Sequence, residues 1–374
     1  MTAVAFCLLT YRPDHPSGIE RSIAALTAGL RSLGHSVVVL AGGPAEPGDE
    51  AEPGLVRLES VRLPRPALNA DVLAALAHPG PVVAEVSRVL RERRIEVVCW
   101  GAPVWGLGYL NPAPPGARTA LMMHNKIRPG SAETWATAMA AVDAVLPASP
   151  YLVDAAARAG WDTSRWRVVP NGVLTLPQPP NHEQREWLRR SGPLRMVSRV
   201  APVKGQAPFL AAMPPRWDRR VEIVLAEADF EFEPGEQAAA LAACRKQAAR
   251  RPDVVQILPA LAWREVPAFF AGAAATVISS LEPETFSHTA AEALSAGTPV
   301  ITFGHGYVPT LIGPAGRVVP LRSGFPAVWD ALDELLASAE EYHAASRSAP
   351  ARLAAHTPEK AAEAFLTATA AGPA

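Results

Sequence analysis

Ala275-Thr-Val-Ile-Ser-Ser280-Leu-Glu-Pro-Glu284-Thr-Phe-Ser-His-Thr-Ala-Ala-Glu292-Ala-Leu-Ser-Ala-Gly297-Thr-Pro299-Val-Ile-Thr-Phe303 is the stretch on which the fold turns. Ala275–Ser280 and Pro299–Phe303 are short apolar runs bounded by turn residues, and they read as buried strands. Between them lies a helical tract whose N-terminus is expected near Phe286 to Thr289. This is a strand–loop–helix–strand unit. A helix N-terminus offers free N–H groups and a positive dipole end to an anion. Glu284 falls in the turn before that end and Glu292 two turns into the helix, so the two carboxylates flank the anion and can hold hydroxyls. Hydroxyl, phosphate, hydroxyl is the chemistry of a sugar nucleotide. Acid–base carboxylates or a metal site are the other readings of the pair. His288 lies between them, but no His or Asp stands at ligand spacing.

Working outward, the same alternation of short apolar strands and amphipathic helices fills the chain. The first half reads as strand Ala3–Leu9, helix Ile19–Leu33 closed by Gly34, and strands Ser36–Ala41 and Leu55–Leu63. Helix Val82–Arg93 follows, then strands Ile95–Trp100, Thr119–His124, Ala144–Ala148 and Trp166–Pro170. Leu176-Pro-Gln-Pro-Pro180 is an extended linker. A second alternation follows, with strands at Leu194–Arg199, Val221–Ala226, Val254–Pro259, Thr276–Ser279, Val300–Phe303 and Arg317–Pro320. Such alternation predicts parallel sheets with helices on both faces. The expected fold is α/β, with two doubly wound domains at 1–175 and 190–350. Ligands of such sheets bind outside the carboxyl ends of the strands, so the expected site is a cleft between the two. The loops Gly42–Gly54 and Pro64–Gly80 are long enough to suggest function.

Composition narrows the function classes. The chain has 374 residues, 49 % hydrophobic and 19 % charged, with a formal net charge of −1. That balance is globular and lacks the basic footprint of a nucleic-acid binder. No apolar run is long enough to span a bilayer, and the N-terminus reads as a first strand rather than a signal peptide. Cys7, Cys99 and Cys244 are widely spaced; they read as core thiols in a reducing cytoplasm.

Further residues carry chemistry. Ser198-Arg199-Val-Ala-Pro-Val-Lys204-Gly205 closes the first strand of the second half, placing a bidentate donor and a point charge beside one crevice. Gly18 stands at a helix entrance, where the missing Cβ allows close approach to phosphate. There is no G-x-G-x-x-G after the first strand, which counts against a nicotinamide or flavin dinucleotide. His124 ends a central strand, and His35 reads as structural. His305 and Tyr307 lie in a glycine-rich loop. Glu227, Asp229, Glu231 and Glu233 alternate like an exposed acidic loop. Arg57, Arg62, Arg65 and Arg91 to Arg94 offer a basic surface for anionic lipid, but no Lys/Arg-rich amphipathic helix accompanies them, which favours a soluble acceptor.

Taken in order, these residues resemble the family-4 retaining glycosyltransferases of the GT-B fold over nearly the whole chain. Gly18-Ile-Glu-Arg21 with Leu33-Gly-His35-Ser-Val, His124, Val169-Pro-Asn-Gly-Val173, Ser198-Arg199 with Lys204-Gly205, and Glu284 with Glu292 carry the likeness. The resemblance implies that the last helix, 357–374, crosses back to the first domain. It implies that Arg199 and Lys204 bind the donor diphosphate, assisted by backbone at Gly18, Phe286, Ser287, His288 and Thr289. Glu292 would bind ribose, Glu284 the transferred sugar, and His124 the sugar or reacting centre. Ser198, Leu174, Ser287, His288 and Thr310 depart from the family's usual residues; those at 287, 288 and 310 border the sugar pocket and leave room for an unusual or amino sugar.

The expected function is transfer of a hexosyl group, N-acetylhexosaminyl or amino sugar included, from a UDP-sugar to a small hydroxylated acceptor in the cytoplasm, with retention and without metal or cofactor. An abundance of Ala, Arg and Pro, as in chains from GC-rich genomes, adds a specialised metabolite, such as an antibiotic of aminoglycoside type, to the candidate acceptors. The competing readings are a sugar-nucleotide epimerase on a similar fold and a catalytically silent sugar-nucleotide-binding protein.

Overall fold

The computed structural model describes residues 1–370; the last four positions of the expected closing helix, 371–374, lie outside the described residues. The chain divides into two units. The first comprises Met1–Gly172, the short segment Asp229–Phe232 and the residues from His356; the second comprises Val173–Ala228 and Glu233–Ala355.

In the first unit six parallel strands stand in the order β3-β2-β1-β4-β5-β6. They are β1 (Ala3–Cys7), β2 (Ser36–Gly42), β3 (Leu55–Leu58), β4 (Val97–Trp100), β5 (Arg118–Met123) and β6 (Ala144–Pro147). The order reverses between β1 and β4, as in a doubly wound sheet. Both faces are covered, so alternate residues of one strand enter different cores and the strands read as unbroken apolar runs. Val38, Leu40, Val98 and Leu121 pack on one face with Val82, Val86 and Leu90 of the helix Gly80–Glu92. Phe6, Val37, Val39 and Val97 pack on the other with Ile23, Leu26 and Leu30 of the helix Gly18–Ser32. The closing helix Pro358–Ala370 joins this second core: Phe365 is fully buried, its ring 5.3 Å from that of Phe6.

The second unit contains β7 (Leu194–Arg199), β8 (Val221–Ala226), β9 (Val255–Leu258), β10 (Thr276–Ile278), β11 (Val300–Phe303) and β12 (Gly316–Val319). They form two parallel three-stranded groups, β7-β8-β9 and β10-β11-β12, joined by a bridge between Leu194 and Ala275. The architecture is thus α/β, with two Rossmann-like halves.

Several local expectations are corrected. Trp166–Pro170 is not a strand and makes only an isolated bridge to Val145. Arg167 and Val169 donate to Val145 and Pro147, but Pro147 has no N–H to return. The strand expected at Leu55–Leu63 stops at Leu58, because the N–H groups of Glu59 and Ser60 turn to the Glu85 carboxylate, at 3.1 and 3.0 Å. The loop Pro64–Gly80 contains a short helix, Asn69–Ala75. The acidic run is not simply exposed: Asp229 and Glu231 are buried. Ala67 donates to Asp229 O at 2.8 Å and accepts from Glu231 N at 3.0 Å.

Candidate active site

The site of the second unit starts at the carboxyl end of β7. Arg199 is the last residue of that strand, and the turn Pro202–Lys204 follows. Gly205 then enters a helix at φ +70°, where an added Cβ would lie 2.2 Å from Ser279 O. Only glycine fits this approach. The turn is fastened to the end of β10 by Leu281 N to Val203 O, 2.8 Å, and by Ser279 Oγ to Lys204 O, 2.7 Å. These bonds fix the side chain that matters: Lys204 Nζ donates to Glu284 Oε1 at 2.5 Å, and the Ser280 hydroxyl donates to the same oxygen.

Burial pushes the Glu284 carboxyl up, but Lys204, Ser280 and Arg199 outweigh it and hold its pKa below the usual glutamate value. The carboxylate is therefore ionised at neutral pH. Burial lowers the Arg199 pKa while Glu236 and Glu284 oppose that effect; a guanidinium stays charged under such conditions. The centre thus brings two cations and one carboxylate together in a half-buried setting.

The helix expected after Phe286 is His288–Ser295. Ser287 caps it from a left-handed backbone position, φ 77°, its hydroxyl accepting from Ala290 N at 3.3 Å. A non-glycine residue held there is strained and needs its surroundings to keep it. Thr289 Oγ1 donates to Val197 O at 3.2 Å, tying the first turn to β7. Phe286 is buried, with its ring centre 5.1 Å from that of His288. Glu292 lies inside the helix and is buried.

Two contributors carried no clear sequence signal. Ser280 is one, a hydroxyl in the tight turn before Glu284. The other is the way the glycine-rich loop grips that turn. Tyr307 N donates to Glu284 O at 2.8 Å, and His305 Nε2 lies 3.0 Å from Ser280 O, so that nitrogen carries the proton.

Gly18 and His124 belong to the first unit. Gly18 opens its helix after Ser17, and His124 follows β5. Burial lowers the His124 pKa to about 4, so its imidazole is neutral at physiological pH. His35 is structural: its Nδ1 accepts from Thr2 N at 3.1 Å. Two arginines of the basic surface are neutralised by neighbours, since Arg57 binds Asp49 and Arg65 binds Glu46. All three cysteines are buried and free. Among the described residues no group of three or more His, Cys, Asp or Glu is placed to hold a metal, and no helix is long and apolar enough to cross a membrane.

Two family models match the chain consecutively: Glycosyltransferase Family 4 over residues 16–175 and Glycosyl transferases group 1 over residues 183–352. The chain belongs to the family-4 glycosyltransferases of the GT-B fold. It is 27 % identical to an MMP alpha-(1->4)-mannosyltransferase of Mycolicibacterium hassiacum, over 88 % of this chain and 87 % of that protein. Among solved structures it is similar to a sucrose-phosphate synthase from Thermosynechococcus elongatus, with TM-score 0.80, 18 % identity and 98 % of each chain covered. It is also similar to HepE of Anabaena in complex with UDP-glucose, with TM-score 0.75, 17 % identity, and 99 % of this chain and 100 % of that one covered. At those identities the structural likeness speaks for the fold.

Proposed function

We propose that the enzyme is a retaining transferase that moves a hexosyl group from a UDP-sugar to a small hydroxylated acceptor. The observation that carries this is the Lys204–Glu284 contact beside Arg199, next to the helix His288–Ser295. Two cations suit a diphosphate, and an ionised carboxylate suits sugar hydroxyls. In this reading Arg199 and Lys204 neutralise the diphosphate as the glycosidic bond breaks. The backbone N–H groups from Phe286 to Thr289, at the entrance of that helix, assist. Lys204 must then share itself between Glu284 and phosphate, and its ion pair with Glu284 holds both side chains in place. Glu292 takes the ribose hydroxyls, and Glu284 takes those of the transferred sugar. Gly18 is assigned to the donor phosphates and His124, neutral, to a hydrogen bond with the sugar.

The bond from the anomeric carbon to the donor phosphate oxygen breaks, with its electron pair leaving on the diphosphate. The acceptor oxygen bonds to that carbon on the same face. The released phosphate oxygen takes the acceptor proton, so no enzyme carboxylate is consumed. The UDP-glucose complex of HepE and the mannosyltransferase name of the mycobacterial relative support a hexosyl donor of this type. Membership in a glycosyltransferase family sets the epimerase reading aside.

The test is a UDP-sugar panel with candidate acceptors, read by mass spectrometry. Lys204→Ala should cut turnover by about 10²–10³-fold, the loss seen when one preorganised donor to a developing anion is removed. Wild-type turnover in that variant sinks the phosphate role. Saturable donor binding with neither transfer nor hydrolysis across the panel would favour the silent binder.

A further inference from the structure

A cavity of about 510 Å³ lies within the first unit at the carboxyl ends of β1, β2 and β3. Resting on the transferase reading, we infer that this cavity is the acceptor site and selects a small hydroxylated molecule that carries a carboxylate or phosphate group. Its size is that of an ordinary small-molecule pocket. Leu9, Leu63, Pro44 and Pro64 supply apolar wall for the C–H face of a ring, and Glu46, Asp229, Arg62 and Arg65 supply charge.

The charges are not all paired. Arg12 Nη1 lies 2.7 Å from Asp229 Oδ2, and Arg12 Nε lies 3.3 Å from Glu46. Arg65 also binds Glu46, and Arg57 binds Asp49 through Nε at 2.9 Å. Glu46 and Asp229 both have lowered pKa values, Glu46 chiefly through Arg65. Asp229 sits at about 2 because His15 and Arg12 overcome its burial. Nearby Glu20 is the opposite case: burial and then Asp229 raise its pKa well above the usual value. Arg12, Arg57 and Arg65 are thus each paired with Glu46, Asp49 or Asp229. Arg62 is the surplus: it lines the cavity and has no ion-pair partner among the described residues.

The walls are held by the protein's own hydrogen bonds. Arg57 Nη1 donates to Tyr11 O at 3.1 Å and to Gly42 O at 3.3 Å, tying the loops after β1 and β2 to β3. The Ala67 bonds to Asp229 and Glu231 hold the remaining side. A preformed pocket loses little entropy when it binds. Glu46 and Asp229 keep lone pairs for acceptor hydroxyls, while Arg62 is left to read the anion.

The experiment compares glucose, glucuronate and glucose 6-phosphate, one skeleton with and without charge, by calorimetric titration of the full chain, with UDP titrated separately. The two charged sugars should bind at least about 10-fold more tightly than glucose. Arg62→Gln should abolish that gap and Arg62→Lys restore part of it, with UDP affinity unchanged in both. Equal binding of all three sugars, no binding of either charged sugar, or an undiminished gap in Arg62→Gln overturns the inference. UDP binding without charged-sugar binding fails the cavity alone; the reverse fails the donor reading alone. Sedimentation with phosphatidylglycerol vesicles that is lost in Arg62→Gln, with no response to soluble sugars, would put the anion on a membrane and also overturn it.

Discussion

His124 is the residue whose environment makes the sharpest statement about pH. Burial holds its folded pKa near 4, against about 6.5 for an unperturbed imidazole. Between those values the unfolded chain binds a proton that the folded chain refuses. Stability is therefore full above about pH 6.5 and falls as pH drops toward 4, by up to roughly 3 kcal/mol. His124→Asn removes the titrating group, so its urea midpoint should fall less than wild type between about pH 7 and pH 5. An identical fall in both proteins would show that His124 is not the group responsible. Residue chemistry was only partly legible in the sequence. Arg199, Lys204 and Glu284 declared themselves because their spacing places them at strand ends. Asp229 did not: alternation with Glu227 and Glu231 looks like a solvated loop, and its partners Arg12 and His15 lie more than two hundred residues away in sequence.

At the scale of elements, the parallel strands were the most readable feature, since burial on both faces makes their sequence continuously apolar. Their ends were less so, because hydrogen bonds rather than hydrophobicity decide where pairing stops, as at Glu59 and Ser60. One contact depends on a single missing atom. The helices Gly18–Ser32 and Pro358–Ala370 cross where Gly29 meets Pro358, and a Cβ on Gly29 would lie 1.9 Å from the Pro358 carbonyl oxygen. Because that oxygen is backbone, the helices must part. Gly29→Ala should cost about 1–3 kcal/mol, the usual penalty of overpacking, despite the better helix propensity of alanine. A urea midpoint equal to or above that of wild type would contradict this close crossing.

For the whole molecule, the division into two units gives two largely separate sets of cores, and a core substitution should report on only one unit. Phe365 is fully buried against Phe6 in the first unit. Phe365→Ala should destabilise that unit by about 3–5 kcal/mol and leave the second untouched. Calorimetry should then show the first transition moving down in temperature and separating from the other. A uniform shift of a single transition would mean that the two units unfold as one. The alternation of elements made the two halves legible, but not the return of Asp229–Phe232 to the first unit, since a four-residue excursion leaves no periodicity to read.

The placement of the closing helix also sets an order of events during synthesis. Every residue of the second unit leaves the ribosome before Phe365 does, so that unit can complete its core while the first still lacks a wall. Until the helix arrives, Ile23, Leu26 and Leu30 border an unfilled apolar face, the kind of surface on which nascent chains aggregate or engage chaperones. The half that is made first is thus the half that is finished last.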